Sequence, residues 1–179
     1  MDVIVVVDMQ VGLLSGGPKY DLPGVVDRIN ALATMVREHA GKVIWVQHCG
    51  HAGDDFAPHS AGWAFLPELT RERADLVVHK TLNDPFAGTD LQEILTGIGP
   101  DRLLVAGWAT DFCVDATVRS AVANLHPVVA VSDGHTLSDR PHLDAPTVIR
   151  HHNWVWANLI TQRSIRVVPT AQLLAEAAH

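Results

Sequence analysis

The stretch "DVIVVV" (residues 2–7) is apolar at five consecutive positions, without the alternation that a half-exposed strand shows. Strands that are apolar on both faces are typical of parallel sheets covered by helices on each side. Five more short, β-rich apolar runs follow along the chain. The predicted strands cover 2–7, 42–48, 75–80, 102–108, 127–133 and 165–169.

Segments with helical spacing of apolar residues separate most of these strands. The predicted helices cover 25–40, 90–99, about 113–124 and about 144–161, with a short helix at the C-terminus. This alternation predicts an α/β fold, in which a doubly wound parallel sheet of six strands lies between two helical layers. We expect one domain, 1–179, because this length can bury a substantial core. The connection 49–74 lacks clear helical periodicity, and so long a loop is expected to carry function.

The composition limits the classes of function. The net charge is −7 with no run of Lys or Arg, so we expect no nucleic-acid partner. No stretch approaches the roughly 18 consecutive apolar residues of a membrane span, and the acidic start does not resemble a signal peptide. Cys49 and Cys113 make a poor disulfide framework. We therefore expect a cytoplasmic protein with a small-molecule substrate and no membrane partner.

Three residues with chemical potential follow the ends of predicted strands. Asp8 follows the first strand, Lys80 ends the third, and Cys113 lies a short turn beyond the fourth. Ligands bind outside the carboxyl ends of open parallel sheets, so a base, a cation and a nucleophile are expected close together. Structural alternatives remain open for each: a turn cap, a solvated lysine and a gap-filling cysteine. The coincidence of all three at one end of the sheet favours catalysis.

Cys113 carries a second signal, because it enters a predicted helix. Unpaired N–H groups and the positive end of the helix dipole lower the pKa of a thiol there. We therefore expect a thiolate at Cys113, favoured also by Lys80. Cys49 is the rival nucleophile, but no helix follows it in its loop, which is rich in Gly and His.

The segments around these residues are "VVVDMQ" (5–10), "VVHKTLNDPFAGTDL" (77–91) and "GWATDFCVDATVRSA" (107–121). In order and separation they resemble the isochorismatase-like cysteine hydrolases, which include nicotinamidases, carbamoylsarcosine amidohydrolases and streptothricin-hydrolase-like enzymes. The resemblance runs over nearly the whole chain and implies their three-layer αβα fold. It also implies a catalytic triad, which here is formed by Asp8, Lys80 and Cys113.

The resemblance further implies how the triad works. The family has a non-proline cis peptide before its cysteine, which corresponds here to Trp108–Ala109, so the N–H groups of Ala109 and Cys113 are expected to form the oxyanion hole. Asp8 is expected to accept the thiol proton, after which sulfur attacks an amide or lactam carbonyl. Water activated by Asp8 then hydrolyses the thioester. The family usually assembles into dimers or larger homo-oligomers.

Two further expectations concern the surroundings of the triad. Nicotinamidases hold a metal through Asp-x-His after their second strand, whereas this chain has Val46 in place of that Asp, so we expect neither a metal nor another cofactor. Aromatic residues on the loops near the triad are expected to shape the substrate pocket. They are Trp63, Phe86, Trp108 and Phe112, with Trp63 equally a candidate for a subunit contact.

Two other functions remain open at this point. Asp and Lys without a cysteine can protonate a vinyl ether, as the isochorismatases themselves do. A non-catalytic binding protein can also keep such a fold. The cysteine favours acyl transfer over the first alternative, and the complete Asp-Lys-Cys set favours catalysis over the second.

Overall fold

The six strands form one sheet in the order β3-β2-β1-β4-β5-β6, and every neighbouring pair is parallel. A computed structural model of the chain describes residues 1–178. The order reverses at β1, where the chain winds outward first on one side and then on the other. The doubly wound α/β fold is therefore confirmed. The strands span Asp2–Val7 (β1), Lys42–His48 (β2), Leu76–Lys80 (β3), Arg102–Trp108 (β4), Val128–Thr136 (β5) and Ile165–Val168 (β6).

Helices connect the strands and cover both faces of the sheet. None of the helices within residues 1–178 combines the length and apolar character needed to cross a membrane. The α-helices are Val11–Leu14 (α1), Leu22–Glu38 (α2), Leu91–Ile98 (α3), Asp115–Ala123 (α4), Ala145–Ala157 (α5) and Thr170–Ala177 (α6). A 3₁₀ turn at Ala61–Trp63 and a π turn at Thr110–Val114 complete the set.

The uninterrupted apolar run of β1 reflects its burial between two cores. Ile4 and Val6 pack into the core that contains α2 and α6, whereas Val3, Val5 and Val7 pack into the core that contains α3, α4 and α5. Side chains alternate between the faces of a strand, so a strand covered on both sides needs an apolar residue at every position. All five of these valine and isoleucine side chains are fully buried.

Strand β5 runs to Thr136, beyond its predicted end at 133. Its register against β4 shifts after Val105, and this irregularity places His135 beside Gly107. The residues at the end of β5 are polar and resemble a loop in the sequence, so the predicted strand ended too early. The extension brings a buried histidine to the same end of the sheet as Cys113.

The helix predicted at 113–124 begins earlier, as a π turn over 110–114. The N–H of Val114 donates to the carbonyl oxygen of Ala109 at 3.1 Å, which is the five-residue spacing of a π-helix. Cys113 therefore lies within a wide turn that precedes α4, and not in the first turn of a regular α-helix. Single π turns of this kind are frequent at functional sites.

Two other helices differ from the sequence pattern by three residues or more at one end. Helix α2 begins at Leu22 and not at 25, because Pro23 is tolerated in the first turn of a helix, where no N–H is required. Helix α5 ends at Ala157 and not at 161. The short α1 and the 3₁₀ turn were not predicted, since four and three residues are too few to show periodicity.

Gly107 permits the close contact between β4 and β1, and its replacement tests the packing beside Asp8. Its φ is 127°, and a Cβ there would lie 2.2 Å from the carbonyl oxygen of Val7. We predict that Gly107→Ala lowers the free energy of unfolding by roughly 2–4 kcal/mol through backbone strain and this clash. Urea denaturation followed by circular dichroism measures the change.

Gly97→Ala is the matched control, because Gly97 lies in α3 with nothing within 4 Å of the added Cβ. This replacement is expected to raise the free energy of unfolding by about 0.5–1 kcal/mol. A Gly107→Ala protein as stable as the wild type would contradict the strand contact described here.

Candidate active site

A cavity of about 230 Å³ opens at the carboxyl end of the sheet, where the strand order changes between β1 and β4. This is the usual place for a ligand in an open α/β sheet. Larger grooves lie elsewhere on the surface, but among the described residues no cysteine lines them. The walls of the cavity are formed by Asp8, Leu13, His48, Asn83, Trp108, Ala109, Phe112, Cys113 and Arg140.

Asp8, Lys80 and Cys113 are brought together at this cavity from three different strand ends. Nζ of Lys80 lies 2.7 Å from Oδ2 of Asp8 and 3.4 Å from Sγ of Cys113. The ammonium also donates to the carbonyl oxygen of Leu82 at 2.9 Å. Asp8 and Lys80 are buried, with 1% and 2% of their surface exposed. The cation therefore lies in contact with both the carboxylate and the thiol.

The carboxylate of Asp8 is positioned by an unusual backbone conformation. Its φ is 53°, in the left-handed region that few residues other than glycine adopt. Its N–H donates to Val46 and its carbonyl oxygen accepts from the N–H of Gln10. Beyond the ion pair with Lys80, neither carboxylate oxygen accepts a hydrogen bond of regular geometry within residues 1–178. Its lone pairs are therefore available to take up a proton.

Burial controls the protonation of both reactive groups. Burial and the negative charge of Asp8 raise the pKa of the Cys113 thiol to about 12, although the Lys80 ammonium acts in the opposite direction. Burial also raises the pKa of Asp8, and the charge of Lys80 offsets only part of this rise. Burial of Cys113 and the charge of Asp8 both oppose the resting thiolate that the sequence led us to expect at Cys113. Desolvation is the largest of these effects and outweighs the cation, so that the protonated thiol is favoured at neutral pH.

The backbone around Cys113 supplies a free donor to the cavity. The peptide bond Trp108–Ala109 is cis, as the resemblance implies. The carbonyl oxygen of Ala109 accepts from the N–H groups of Phe112 and Val114 and so closes the π turn. The N–H of Ala109 itself has no hydrogen-bond acceptor among residues 1–178, and Ala109 lines the cavity. This N–H can therefore receive an oxygen of a bound molecule.

A buried histidine from β5 supports the π turn, and the sequence analysis did not identify it. Oγ1 of Thr110 lies 2.9 Å from Nδ1 of His135, and Nε2 of His135 lies 3.1 Å from Oδ1 of Asn153. Burial lowers the pKa of His135 to about 4, so the ring is neutral near pH 7. Because β5 was predicted to end at 133, His135 was not among the residues expected at the strand ends.

Two of the four predicted aromatic residues line the cavity, and two do not. Trp108 and Phe112 contribute to its walls. The ring of Phe86 lies 6.0 Å from that of His126 and packs against the core that contains α3 and α4. The prediction that Phe86 contacts the substrate is therefore corrected: the loop after β3 turns this side chain toward the core.

The prediction for Trp63 is corrected in the same way. Its ring centroid lies 5.2 Å from that of His59 and 5.4 Å from that of His79, and Trp63 does not line the cavity. Its carbonyl oxygen accepts from the side-chain amides of Gln10 and Gln47 at 3.0 and 2.8 Å. Trp63 thus stabilises the long loop after β2 instead of reaching the cavity.

Several residues that line the cavity were missed. Asn83 lies inside a quoted motif, and its Oδ1 lies 3.6 Å from Sγ of Cys113. Arg140 follows β5 and makes a bidentate ion pair with Asp111 at 2.6 and 2.7 Å. Its guanidinium carbon lies 5.2 Å from the ring centroid of Phe112. With β5 ending at Thr136, the loop that contains Arg140 lies directly after a strand end, where substrate contacts are expected.

The histidines after β2 do not gather into a metal centre. Within residues 1–178, no three side chains of His, Cys, Asp or Glu lie close enough together to hold a metal ion. His48 lines the cavity, while His59 packs against Trp63.

Comparison with known proteins extends these observations. The family model described as the Isochorismatase domain matches residues 2–164. Streptothricin hydrolase of Streptomyces noursei is 34% identical over 139 residues, which cover 77% of this chain and 55% of that protein. This chain thus spans about half the length of that relative. A ureidoacrylate amidohydrolase of Klebsiella pneumoniae is 28% identical, with 65% of each chain covered.

Solved structures agree with the sequence comparisons. The crystal structure of an isochorismatase from Pseudomonas putida superposes with a TM-score of 0.87 at 26% identity, covering 96% of this chain and 89% of the other. A hydrolase of the same family from Chromobacterium violaceum has a TM-score of 0.85 at 27% identity and covers 98% of this chain and 93% of the other. The family model, the relatives and the shared fold agree, and the chain belongs to the isochorismatase family.

Proposed function

We propose that this protein is a cysteine-dependent amidohydrolase, which cleaves the carbonyl–nitrogen bond of a small amide or lactam through a thioester on Cys113. The observation that carries this proposal is the contact of the Lys80 ammonium with both Asp8 and Cys113 beside a cavity. A pure binding site has no need of a buried cation between a carboxylate and a thiol. The Klebsiella relative is named an amidohydrolase, which supports the same class of reaction.

The first step joins proton transfer to attack. Because the pKa of the Cys113 thiol is about 12, a free thiolate is scarce at neutral pH, and Asp8 takes the thiol proton as sulfur attacks. The carbonyl carbon gains a bond to Sγ, and the π electrons of the carbonyl move to its oxygen. The N–H groups of Ala109 and Cys113 stabilise this oxyanion. A raised pKa at Asp8 makes the carboxylate a better base than an exposed aspartate.

The second step breaks the carbonyl–nitrogen bond. Asp8 returns its proton to the leaving nitrogen, the oxyanion collapses, and the acyl group remains on Cys113 as a thioester. In the third step Asp8 takes a proton from water while the water oxygen attacks the thioester. Sulfur then leaves and takes the proton back, which regenerates the thiol and the carboxylate and releases the acid.

The cavity limits the substrate to a small molecule with an apolar part. Its volume of about 230 Å³ is slightly below the usual range for sites that hold drug-sized ligands. Trp108, Phe112 and Leu13 supply apolar walls, and Asn83 and Arg140 add polar groups. These residues are proposed as the substrate contacts.

The proposal includes a cytoplasmic setting and assembly into homo-oligomers. Both cysteines are free thiols, which a reducing compartment preserves. Trp154 and Ile160 are exposed apolar side chains, which provide surface for contact between copies of the chain.

Replacement of the reactive residues tests the reaction. A panel of amides, lactams, ureides and nicotinamide is assayed for release of ammonia or amine. We predict that Cys113→Ala and Asp8→Asn each lower kcat/KM by a factor on the order of 10³ or more, because each removes a group that changes its bonds during the reaction. Cys49→Ala is the matched control and is expected to retain activity. Normal turnover by Cys113→Ala would disprove the thioester and favour an Asp/Lys mechanism.

The charges around Cys113 are tested by alkylation in a Cys49→Ala background. Lys80 lowers and Asp8 raises the pKa of this thiol, so their replacements act in opposite directions. At about pH 8, we predict that iodoacetamide reacts roughly tenfold more slowly with Lys80→Met and roughly tenfold faster with Asp8→Asn, since one pKa unit changes a small thiolate fraction tenfold.

Asp8→Asn is thus expected to speed alkylation and yet to abolish turnover. The first effect reports the charge of Asp8, and the second reports its role in proton transfer. An unchanged alkylation rate in Lys80→Met would mean that Lys80 does not act on the nucleophile.

A further inference from the structure

His48 ends β2 and lines the cavity, yet the reaction described above does not use it. The side-chain amide of Gln10 bonds both the N–H and the carbonyl oxygen of His48. Oε1 of Gln10 accepts from the His48 N–H at 2.7 Å, and Nε2 of Gln10 donates to the His48 carbonyl oxygen at 3.0 Å. Gln10 is itself fully buried, and the ring of Phe56 lies 5.5 Å from that of His48. These contacts fix the main chain of His48 and place its ring beside Phe56.

The neighbouring cation determines which ring nitrogen carries the proton. Nζ of Lys80 lies 3.4 Å from Nδ1 of His48, and an ammonium can only donate. Nδ1 is therefore the acceptor, and the proton of the neutral ring is on Nε2. Burial and the charge of Lys80 lower the pKa of His48 to about 4, so the ring is neutral near pH 7. Within residues 1–178, the contact of Nδ1 with Lys80 is the one hydrogen bond that the His48 ring makes, so Nε2–H is free to donate to a bound molecule.

The strand order places this donor opposite the proposed oxyanion hole. β1 lies between β2 and β4, so His48 is on one side of Asp8 and Ala109 is on the other. Neighbouring strands are about 4.8 Å apart, so the two strand ends are separated by roughly 10 Å. A substrate whose carbonyl oxygen meets Ala109, and whose leaving nitrogen meets Asp8, therefore extends beyond that nitrogen toward His48.

From this geometry we infer that Nε2–H of His48 donates to a second acceptor oxygen beyond the leaving nitrogen, so that cyclic imides are better substrates than simple lactams. The inference rests on the proposed function. In an imide, the second carbonyl is attached directly to the leaving nitrogen and lies on the His48 side. Hydrolysis breaks one carbonyl–nitrogen bond, adds OH from water to the acyl carbon and H to the nitrogen, and gives the ring-opened amide acid.

The kinetic test compares succinimide ring opening with acylation of Cys113 by p-nitrophenyl acetate, whose leaving oxygen carries no second carbonyl beyond the one that reacts. His48→Leu is expected to lower kcat/KM for succinimide at least about tenfold more than it lowers the acylation rate, with most of the loss in KM. His48→Gln keeps an N–H donor at similar reach and is expected to recover most of the difference. Equal losses in both reactions, or no recovery with Gln, would overturn the inference.

The spectroscopic test does not depend on turnover. Long-range ¹H–¹⁵N spectra of histidine-labelled protein at about pH 7, with His48→Gln to assign the signal, are expected to show the proton of His48 on Nε2. Addition of succinimide to the Cys113→Ala variant is expected to shift that signal. A proton on Nδ1, a doubly protonated ring or an unshifted signal would overturn the inference. Failure of p-nitrophenyl acetate to acylate Cys113 would instead count against the proposed function.

Discussion

The ion pair between the buried ammonium of Lys80 and Asp8 is the interaction on which the candidate active site depends. A buried charge is costly unless it is paired and hydrogen-bonded, and Lys80 is fully enclosed at its side chain. Its three N–H donors face four neighbours: the carboxylate of Asp8, the carbonyl oxygen of Leu82, Nδ1 of His48 and Sγ of Cys113. One cation thus contacts the proposed base, the ring of His48 and the proposed nucleophile. Removal of its charge is expected to change the pKa values of Asp8, His48 and Cys113 together.

The sheet explains why these groups meet. β1, β2, β3 and β4 end at the same side of a parallel sheet, so Asp8, His48, Lys80 and Cys113 meet there although they are distant in sequence. Buried polar residues then fix the strand ends. Gln10 binds the main chain of His48, and His135 contacts Thr110 at the start of the π turn. Such second contacts keep reactive groups in position before a substrate arrives.

The sequence predicted the order of the strands and the positions of Asp8, Lys80 and Cys113 well, because these depend on local patterns. Continuous apolar runs indicate buried parallel strands, and Asp8, Lys80 and Cys113 follow from the position of each run. The protonation of Cys113 could not be predicted this way, since it depends on how deeply the thiol is buried and how near Asp8 lies. The sequence placed Cys113 in the first turn of a helix, but it lies in a π turn, and burial raises the pKa of its thiol.

The loops show the same limit. Phe86 and Trp63 lie near the correct strand ends, but nothing in their local sequence indicates that they pack against His126 and His79 instead of the cavity. Arg140 was missed for the opposite reason, since the polar end of β5 was taken for a loop. A side chain's direction after a strand depends on tertiary contacts that periodicity does not contain.

The most direct test of the account is to find the acyl group itself. The wild-type protein is mixed with p-nitrophenyl acetate, quenched in acid within milliseconds to seconds, and analysed by intact-protein and peptide mass spectrometry. The account predicts one acetyl group per chain, located on Cys113, which disappears with time as the thioester is hydrolysed. Acetylation of Cys49 instead, or hydrolysis of amide substrates with no acyl group ever detected on Cys113, would contradict it.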